Sequence, residues 1–245
     1  MNNIIHNIPH TIFIVPYKNR IEHKELFNKY IIELKSYNKW SDNDIDIYYS
    51  QQCNNKMFNR GAIKNIGFIA MKNKYPNHWK NITFIFHDID SIPNDVSLIP
   101  YKTMTGKVAH YYGYKFSLGG IFAIKGIDFE KTNGFPNFWG WGFEDNIINN
   151  RIQKIKSLIV DRDIFYDITD TRINRPFDGF KRKYSKTELK IYNEKIYYGG
   201  LSTIYNLNYE IINEYINIYS FITERNYNEN EFLYHDVRNG SKIYY

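Results

Sequence analysis

The chain has a single cysteine, Cys53, in 245 residues, so no disulfide can form within it. Long apolar runs are missing as well: none approaches the roughly 20 residues that a membrane span needs. The opening MNNIIHNIPH carries neither the basic start nor the apolar stretch of a secretory leader. Together these point to a reducing compartment, and the expectation is a cytoplasmic protein not secreted by a signal of its own. With only 14 Gly and 7 Pro, collagen-like and linker-like compositions are excluded. His-rich spacing of the kind a zinc site uses is absent too.

What is present is charge and aromatic surface. The formal net charge of +6 invites a nucleic-acid reading, but the lysines run from Lys18 to Lys242 among Asp and Glu, and only Lys181 to Lys183 cluster. Nucleic acid is therefore not an expected partner, though a mildly positive field helps capture a nucleotide diphosphate. Aromatic residues make up 18%, with 23 Tyr and 17 Phe, against a mean hydropathy of −0.55. A chain of this size can bury a substantial core. One α/β domain over residues 1–225, followed by a C-terminal extension over 226–245, is the expected division.

Along the chain, Thr11 to Val15 reads as a buried strand closed by Pro16, and Leu26, Phe27, Tyr30, Ile31 and Leu34 recur at helical spacing. Ligands in open α/β sheets sit beyond the carboxyl ends of strands, which is where Lys18 and Arg20 fall. Ile45 to Tyr49 reads as a second strand. Asn59 is a fitting N-cap for a helix with Ile63, Ile66, Ile69 and Ala70 on its apolar side. Ile82 to Phe86 is the most apolar strand candidate, and Asp88 and Asp90 follow at its exit. Alternate residues of an extended segment face the same way, so these two carboxylates can converge on one ligand, such as a divalent cation on a diphosphate. Helices are also expected over Lys186 to Tyr192 and Tyr209 to Phe221, while His235 and Asp236 read as surface.

The stretch from Gly119 to Arg151 carries the most chemistry. A Gly-Gly pair leads into the apolar run Ile121 to Ile124; then Trp139 and Trp141 flank Gly140, and Glu144 and Asp145 open a helical pattern. Exposed indole rings in a glycine-bounded loop suit a partner with an apolar face and a polar rim, as a sugar ring has. Carboxylates in a first helical turn are held ionised by the helix dipole, which is the condition a general base needs.

Four pieces, VPYKNR, FNRG, FHDIDSIP and NGFPNFWGWGFEDN, stand in a fixed order that resembles the β-1,4-galactosyltransferase family of inverting nucleotide-sugar transferases. The likeness spans about Ile12 to Arg151, and more weakly continues to about Phe221. Its most specific part is WGWG-x-ED. The resemblance implies a GT-A fold: an α/β, Rossmann-like, mostly parallel central sheet flanked by helices. It implies that Pro16, Tyr17, Lys18 and Arg20 line the uridine diphosphate site, together with Phe58, Arg60, Asp88 and Ile89. Asp90 would be the metal ligand, and Gly120 would lie against the donor sugar. Trp141 would belong to a mobile loop closing over donor and acceptor, Glu144 would hold the acceptor, and Asp145 would be the catalytic base.

Departures from the family pattern carry expectations of their own. The downstream Met-x-x-His or His-x-His that completes the family's metal site does not occur; Asp167 and Asp170 stand at the comparable distance and are expected to join Asp90 in holding Mn²⁺ or Mg²⁺. Ser117 takes the place of a bulky tyrosine, which resembles the N-acetylhexosamine-using branch. The family's disulfide cysteines and membrane anchor are missing, in line with a cytosolic enzyme such as a viral or bacterial one. The expected partners are a UDP-sugar and a carbohydrate acceptor, free or on a protein or lipid. The alternative is a catalytically impaired glycan- or nucleotide-binding protein descended from a transferase.

Overall fold

The computed structural model describes residues 8–41, 44–195 and 198–240. The chain runs β1 (Thr11–Tyr17), α1 (Ile21–Asn38), β2 (Ile45–Gln52), α2 (Arg60–Lys74), β3 (Thr83–His87), a short β4 (Ile92–Pro93), β5 (Lys107–Gly113), β6 (Ile121–Lys125), α3 (Gly126–Lys131) and α4 (Glu144–Lys154). Strands dominate the C-terminal third: β7 (Ile159–Asp161), β8 (Tyr166–Asp167), β9 (Ile173–Asn174), β10 (Lys181–Ser185), then α5 (Lys186–Asn193), β11 (Tyr205–Ile212), β12 (Tyr215–Ile222) and β13 (Phe232–Asp236). The main sheet is ordered β11-β12-β2-β1-β3-β6-β5-β7, with β8 also on β5. Strands β12, β2, β1 and β3 are mutually parallel, and β6 runs against both β3 and β5. This is the expected GT-A arrangement.

Alternation along the central strands feeds two cores. Ile12 and Ile14 of β1, with Phe84 and Phe86 of β3, pack on the face covered by Ile63, Ile66 and Phe68 of α2. Phe13, Val15 and Ile85 point the other way, onto Phe27, Tyr30, Ile31 and Leu34 of α1. Successive strand residues face opposite sides, so one apolar run serves both layers. Leu26, expected in the α1 stripe, is instead 40% exposed. Strand β1 continues through Pro16 rather than ending before it. Pairing with β3 stops at Ile14, so on that side the missing proline N–H interrupts no ladder.

The segment Tyr209 to Phe221, expected to be helical, is a hairpin of β11 and β12. Its turn is Asn213-Glu214, with Asn213 at φ 52°, the left-handed geometry that a two-residue hairpin loop asks for. Ile216 and Ile218 are fully buried at period two, and β12 is held beside β2. The β-branched isoleucines fit a pleated strand at least as well as a helix, and sheet pairing decided between them. Within the expected C-terminal extension, β13 pairs with β10, and Tyr227 and Phe232 pack against the first core; residues 241–245 lie outside the described residues. No helix among the described residues is long and apolar enough to cross a membrane.

Two buried histidines set an acid limit. His110 Nε2 donates to the carbonyls of Tyr112 and Gly119 at 2.9 and 3.1 Å, while its Nδ1 accepts from Arg162 Nε at 3.0 Å, so the ring is neutral. Burial, and then the Arg162 charge, push it down to about 4. Burial does the same to His87, also to about 4. A histidine with a depressed folded value stabilises the fold above its unfolded value near 6.5 and loses that contribution as pH falls toward 4. Each histidine is expected to remove roughly 1.4 kcal/mol of stability per pH unit across that window. Urea midpoints at pH 7, 6 and 5 check this; a flat profile would count against both rings being buried and neutral.

Candidate active site

The parallel strands β1 and β3 end at the same sheet edge, and the antiparallel β6 begins there, with His87 opposite Ile121. Asp88, leaving β3, donates its amide to the Gly120 carbonyl at 2.9 Å. Helix α2 starts at the same edge because Asn59 caps it: its side-chain oxygen accepts from the Ala62 amide at 2.9 Å, and its Nδ2 donates to the Asn137 carbonyl. That anchor puts Arg60 at the first helical position. Helix α4 also opens here, with Glu144 and Asp145 in its first turn as expected.

The three elements meet on Arg60. Its guanidinium donates to Glu144 Oε1 at 2.5 Å, to Asp145 Oδ2 at 2.7 Å, and to Asp88 Oδ2. One turn further along α2, Lys64 Nζ lies 3.2 Å from Asp145 Oδ1 and 3.7 Å from Asp88 Oδ1. Burial would raise the Asp88 carboxyl, but the Arg60 and Lys64 charges outweigh it and hold Asp88 well below the usual carboxylate range. Burial, with the Asp145 charge added, pushes Glu144 the other way, above its ordinary value. Burial also works against the Arg60 charge, yet Asp145, Asp88 and Glu144 together keep the guanidinium firmly protonated. Neighbouring carboxylates thus sit in unequal environments, Asp88 favouring its ionised form and Glu144 its protonated one.

Around this centre the other expected residues divide. Arg20 approaches Asp90 Oδ2 at 3.3 Å and Asp178 at 2.5 Å, so the basic loop after β1 and the aspartate pair after β3 are neighbours. Lys18 donates to the carbonyls of Asn54 and Lys56, tying down the loop after β2, and burial lowers its ordinary value. Tyr17 and Ile89 are buried in the second core, and Tyr17 meets Tyr49 and Tyr215 edge-on. Phe58 packs on the first core, and its carbonyl accepts from Gly140. Gly120, at φ 71°, leaves no room for a side chain: a Cβ there would stand 2.4 Å from the Tyr112 carbonyl oxygen. A Cβ on Gly119 would stand 2.6 Å from Asp145 Oδ2, so the glycine pair is what lets the carboxylate sit against this backbone. Ser117 is buried, its amide bonded to the Tyr114 carbonyl.

The two tryptophans do not form a shared platform. Trp139 is 3% exposed and stacks on Phe221 at 5.5 Å, making it core. A bulky ring beside a glycine finds more apolar surface inside than out, and the β12 strand supplies it. Trp141 is half-buried and lies parallel to the His235 ring at 5.8 Å, its amide donating to the Lys183 carbonyl. His235, expected at a bare surface, therefore faces the indole.

The three carboxylates expected to hold a metal are not brought together. Among the described residues no three His, Cys, Asp or Glu side chains gather as a metal centre. Asp170 is taken up by Arg172, whose Nε and Nη2 lie 2.9 and 2.7 Å from its oxygens, and Asp167 caps its own turn at Thr169. A carboxylate with an arginine two residues away satisfies itself locally. Asp90 by itself fits the requirement of a hard cation that draws its remaining ligands from a diphosphate and water, since one or two protein carboxylates then suffice.

Several site residues carried weak sequence signals. Lys64 stands, with Asn65, in an otherwise apolar helix stretch, four residues after Arg60 and hence on its face. Asp178 and Arg162 offered no pattern at all, and only the fold brings them to Arg20 and His110.

Two family models match consecutive parts of the chain: the N-terminal region of glycosyl transferase group 7 over residues 6–102, and the N-terminal domain of galactosyltransferase over 101–169. Human β-1,4-galactosyltransferase 4 is 34% identical over 151 residues, covering 57% of this chain and 41% of its own length. Its Chinese hamster counterpart is 33% identical over 157 residues, covering 60% and 43%. The chain thus spans about two fifths of the length of these curated relatives. Among solved structures, the catalytic domain of Drosophila β-1,4-galactosyltransferase 7 with xylobiose superposes with a TM-score of 0.62 at 17% identity, covering 89% of this chain and 96% of that one. A mutant of the same fly enzyme, complexed with manganese, UDP-Gal and xylobiose, gives 0.62 at 18%. These relatives overturn the cytoplasmic expectation: animal β-1,4-galactosyltransferases are Golgi-resident enzymes. A lone cysteine limits disulfides but does not report a compartment, and the start of a chain that spans part of its relatives does not either.

Proposed function

The chain belongs to the β-1,4-galactosyltransferase family, and from that premise we propose that it is an inverting glycosyltransferase, moving a hexose or N-acetylhexosamine from a UDP-sugar to a hydroxyl of a carbohydrate acceptor. The observation that carries the reading is the meeting of Asp88, from the β3 exit, with Asp145, from the start of α4, on one guanidinium. The two ends of the required chemistry, nucleotide and base, then lie side by side.

In this reading Asp145 accepts the proton of the attacking acceptor hydroxyl, and Glu144 beside it holds acceptor hydroxyls. Pro16, Tyr17, Phe58, Asp88 and Ile89 frame the nucleotide, with Tyr17 and Ile89 acting as packed walls. Lys18 and Arg20 carry the positive charge toward the diphosphate, which would replace Asp178 on Arg20. Gly120 and Ser117 border the donor sugar, and Trp141 leaves His235 to close over it and exclude water. Asp90 holds Mn²⁺ or Mg²⁺, which when bound offsets the charge developing on the diphosphate.

A donor screen tests the proposal. The protein is incubated with Mn²⁺ and each common UDP-sugar, and free UDP is read with and without simple saccharide acceptors. Xylobiose is included because the fly enzyme was crystallised with it. Acceptor-dependent UDP release is expected, with UDP-galactose first among donors on the relatives' names and UDP-N-acetylhexosamines as the arm that Ser117 motivates. Binding of UDP and Mn²⁺ with no release from any donor would make the chain a binding protein instead.

A further inference from the structure

We infer that Lys64 is a positioning residue for the transfer reaction, holding Oδ1 of Asp145 so that the carboxylate presents one fixed edge to the acceptor hydroxyl. This rests on the proposed role of Asp145 as base. The Lys64 side chain is 1% exposed, and fully buried lysines are rare unless paired. Its ammonium has three neighbours: Asp145 Oδ1 at 3.2 Å, Asp88 Oδ1 at 3.7 Å, and the face of Phe135 at 4.6 Å from the ring centre. Only the first lies within hydrogen-bond reach. Asp88 Oδ1 has no hydrogen-bond partner among the described residues, so Lys64 is committed to Asp145 rather than shared equally.

Arg60 cannot do this work by itself. The nitrogen that reaches Asp145 Oδ2 also serves Glu144, and the other terminal nitrogen is on Asp88, so the guanidinium gathers three carboxylates without selecting an orientation for one. Lys64 supplies the second fixed point. With Oδ2 on Arg60, Oδ1 on Lys64 and the Gly119 backbone behind, rotation about the Asp145 side chain is blocked on three sides. Two anchors on one carboxylate convert a floppy base into a directed one, and misplacement by about 1 Å can cost roughly 10²-fold in rate. Lys64 also balances charge. Without it, Asp88, Glu144 and Asp145 would face one cation, and losing a nearby cation disfavours ionised carboxylates in general.

The titratable and charged groups facing Asp145 are Arg60 and Lys64 from α2, Asp88 from the β3 exit, the neutral His110 from β5 and Glu144 on its own helix. The test is Lys64→Met and Lys64→Arg against wild type, with kcat and KM for donor and acceptor measured from pH 5 to 9. For Lys64→Met, kcat should fall roughly 10- to 100-fold, with donor KM held within about threefold and the acidic limb of kcat moved to higher pH. Lys64→Arg keeps the charge, so its acidic limb should stay at the wild-type position whatever its kcat. If Lys64→Met does not fold, the Arg variant carries the test, and an acidic limb displaced despite the retained charge overturns the inference. A folded Lys64→Met with unchanged kcat and acidic limb overturns it too. A wild-type chain that releases UDP from no donor sinks the transferase reading and this inference together, whereas an active wild type beside an indifferent Lys64→Met sinks only the inference.

Discussion

Replacing Asp145 with Asn is expected to lower turnover by roughly 10²- to 10⁴-fold while leaving UDP affinity within a few-fold of wild type. The substitution keeps the shape and removes the base, so the acceptor hydroxyl has nowhere to send its proton as the bond to the sugar forms. UDP affinity is insulated because the groups assigned to the nucleotide lie on β1 and its following loop, just before α2, and at the β3 exit, rather than on α4. Asparagine is not silent in this setting, however. Both Asp145 oxygens face cations, Arg60 on one side and Lys64 on the other. An amide offers a single acceptor, so its NH₂ must point at one of them, and that mismatch destabilises the fold by about 1–3 kcal/mol. Steady-state kinetics with calorimetry of UDP binding separates the two effects. A loss of UDP binding as large as the loss of turnover would remove Asp145 from the base role and make it a structural member of the Arg60 cluster.

Arg60→Ala should be the most damaging single change to stability in the site. Among the described residues Arg60 is the only side chain touching Asp88, Glu144 and Asp145 together, and its own exposure is 19%. Without it three largely buried carboxylates share Lys64. Breaking a buried ion pair by removing one partner typically costs about 3–5 kcal/mol, because the remaining charge is left uncompensated. Arg60→Lys should recover only part of this, since an ammonium is one compact point and lacks the spread of the two guanidinium nitrogens that reach these acceptors. The pH dependence gives the mechanism a sign. Unpaired carboxylates in the variant take up protons more readily, so the deficit against wild type should shrink as pH falls from 8 to 5. Urea unfolding of both proteins at each pH checks this; a deficit that is constant with pH would mean the loss is one of packing rather than of charge.

The differences between expected and observed structure share one origin. Asn59 is legible as a cap because capping is a contact with the next turn, and Asp88 and Asp90 are legible as a strand exit because the apolar run before them is so pronounced. Glu144 and Asp145 fall in a first helical turn for the same local reason. Tyr209 to Phe221 reads as a helix because isoleucine-rich alternation and helical spacing overlap over a dozen residues, and the β2 edge that makes it a hairpin lies more than 150 positions earlier in the chain. Trp139 reads as surface because its glycine neighbours resemble a loop, while Phe221 and Tyr227, which cover it, come from the far end. Asp167 and Asp170 match a metal spacing, yet Arg172 claims one and a turn the other.

By itself, then, the order of residues determined most of the alternating strands and helices ahead of the β11–β12 hairpin, the polar exits of those strands and the chemical types gathered near them, since each depends on neighbours within a few positions. Tertiary structure alone decided that Asp88 and Asp145 share Arg60, that Lys64 is enclosed between them and that Trp141 lies on His235. Those contacts join residues 24 to 94 positions apart, and which distant surface covers a given face is settled by how the sheet pairs and closes, a choice that periodicity within one segment does not record.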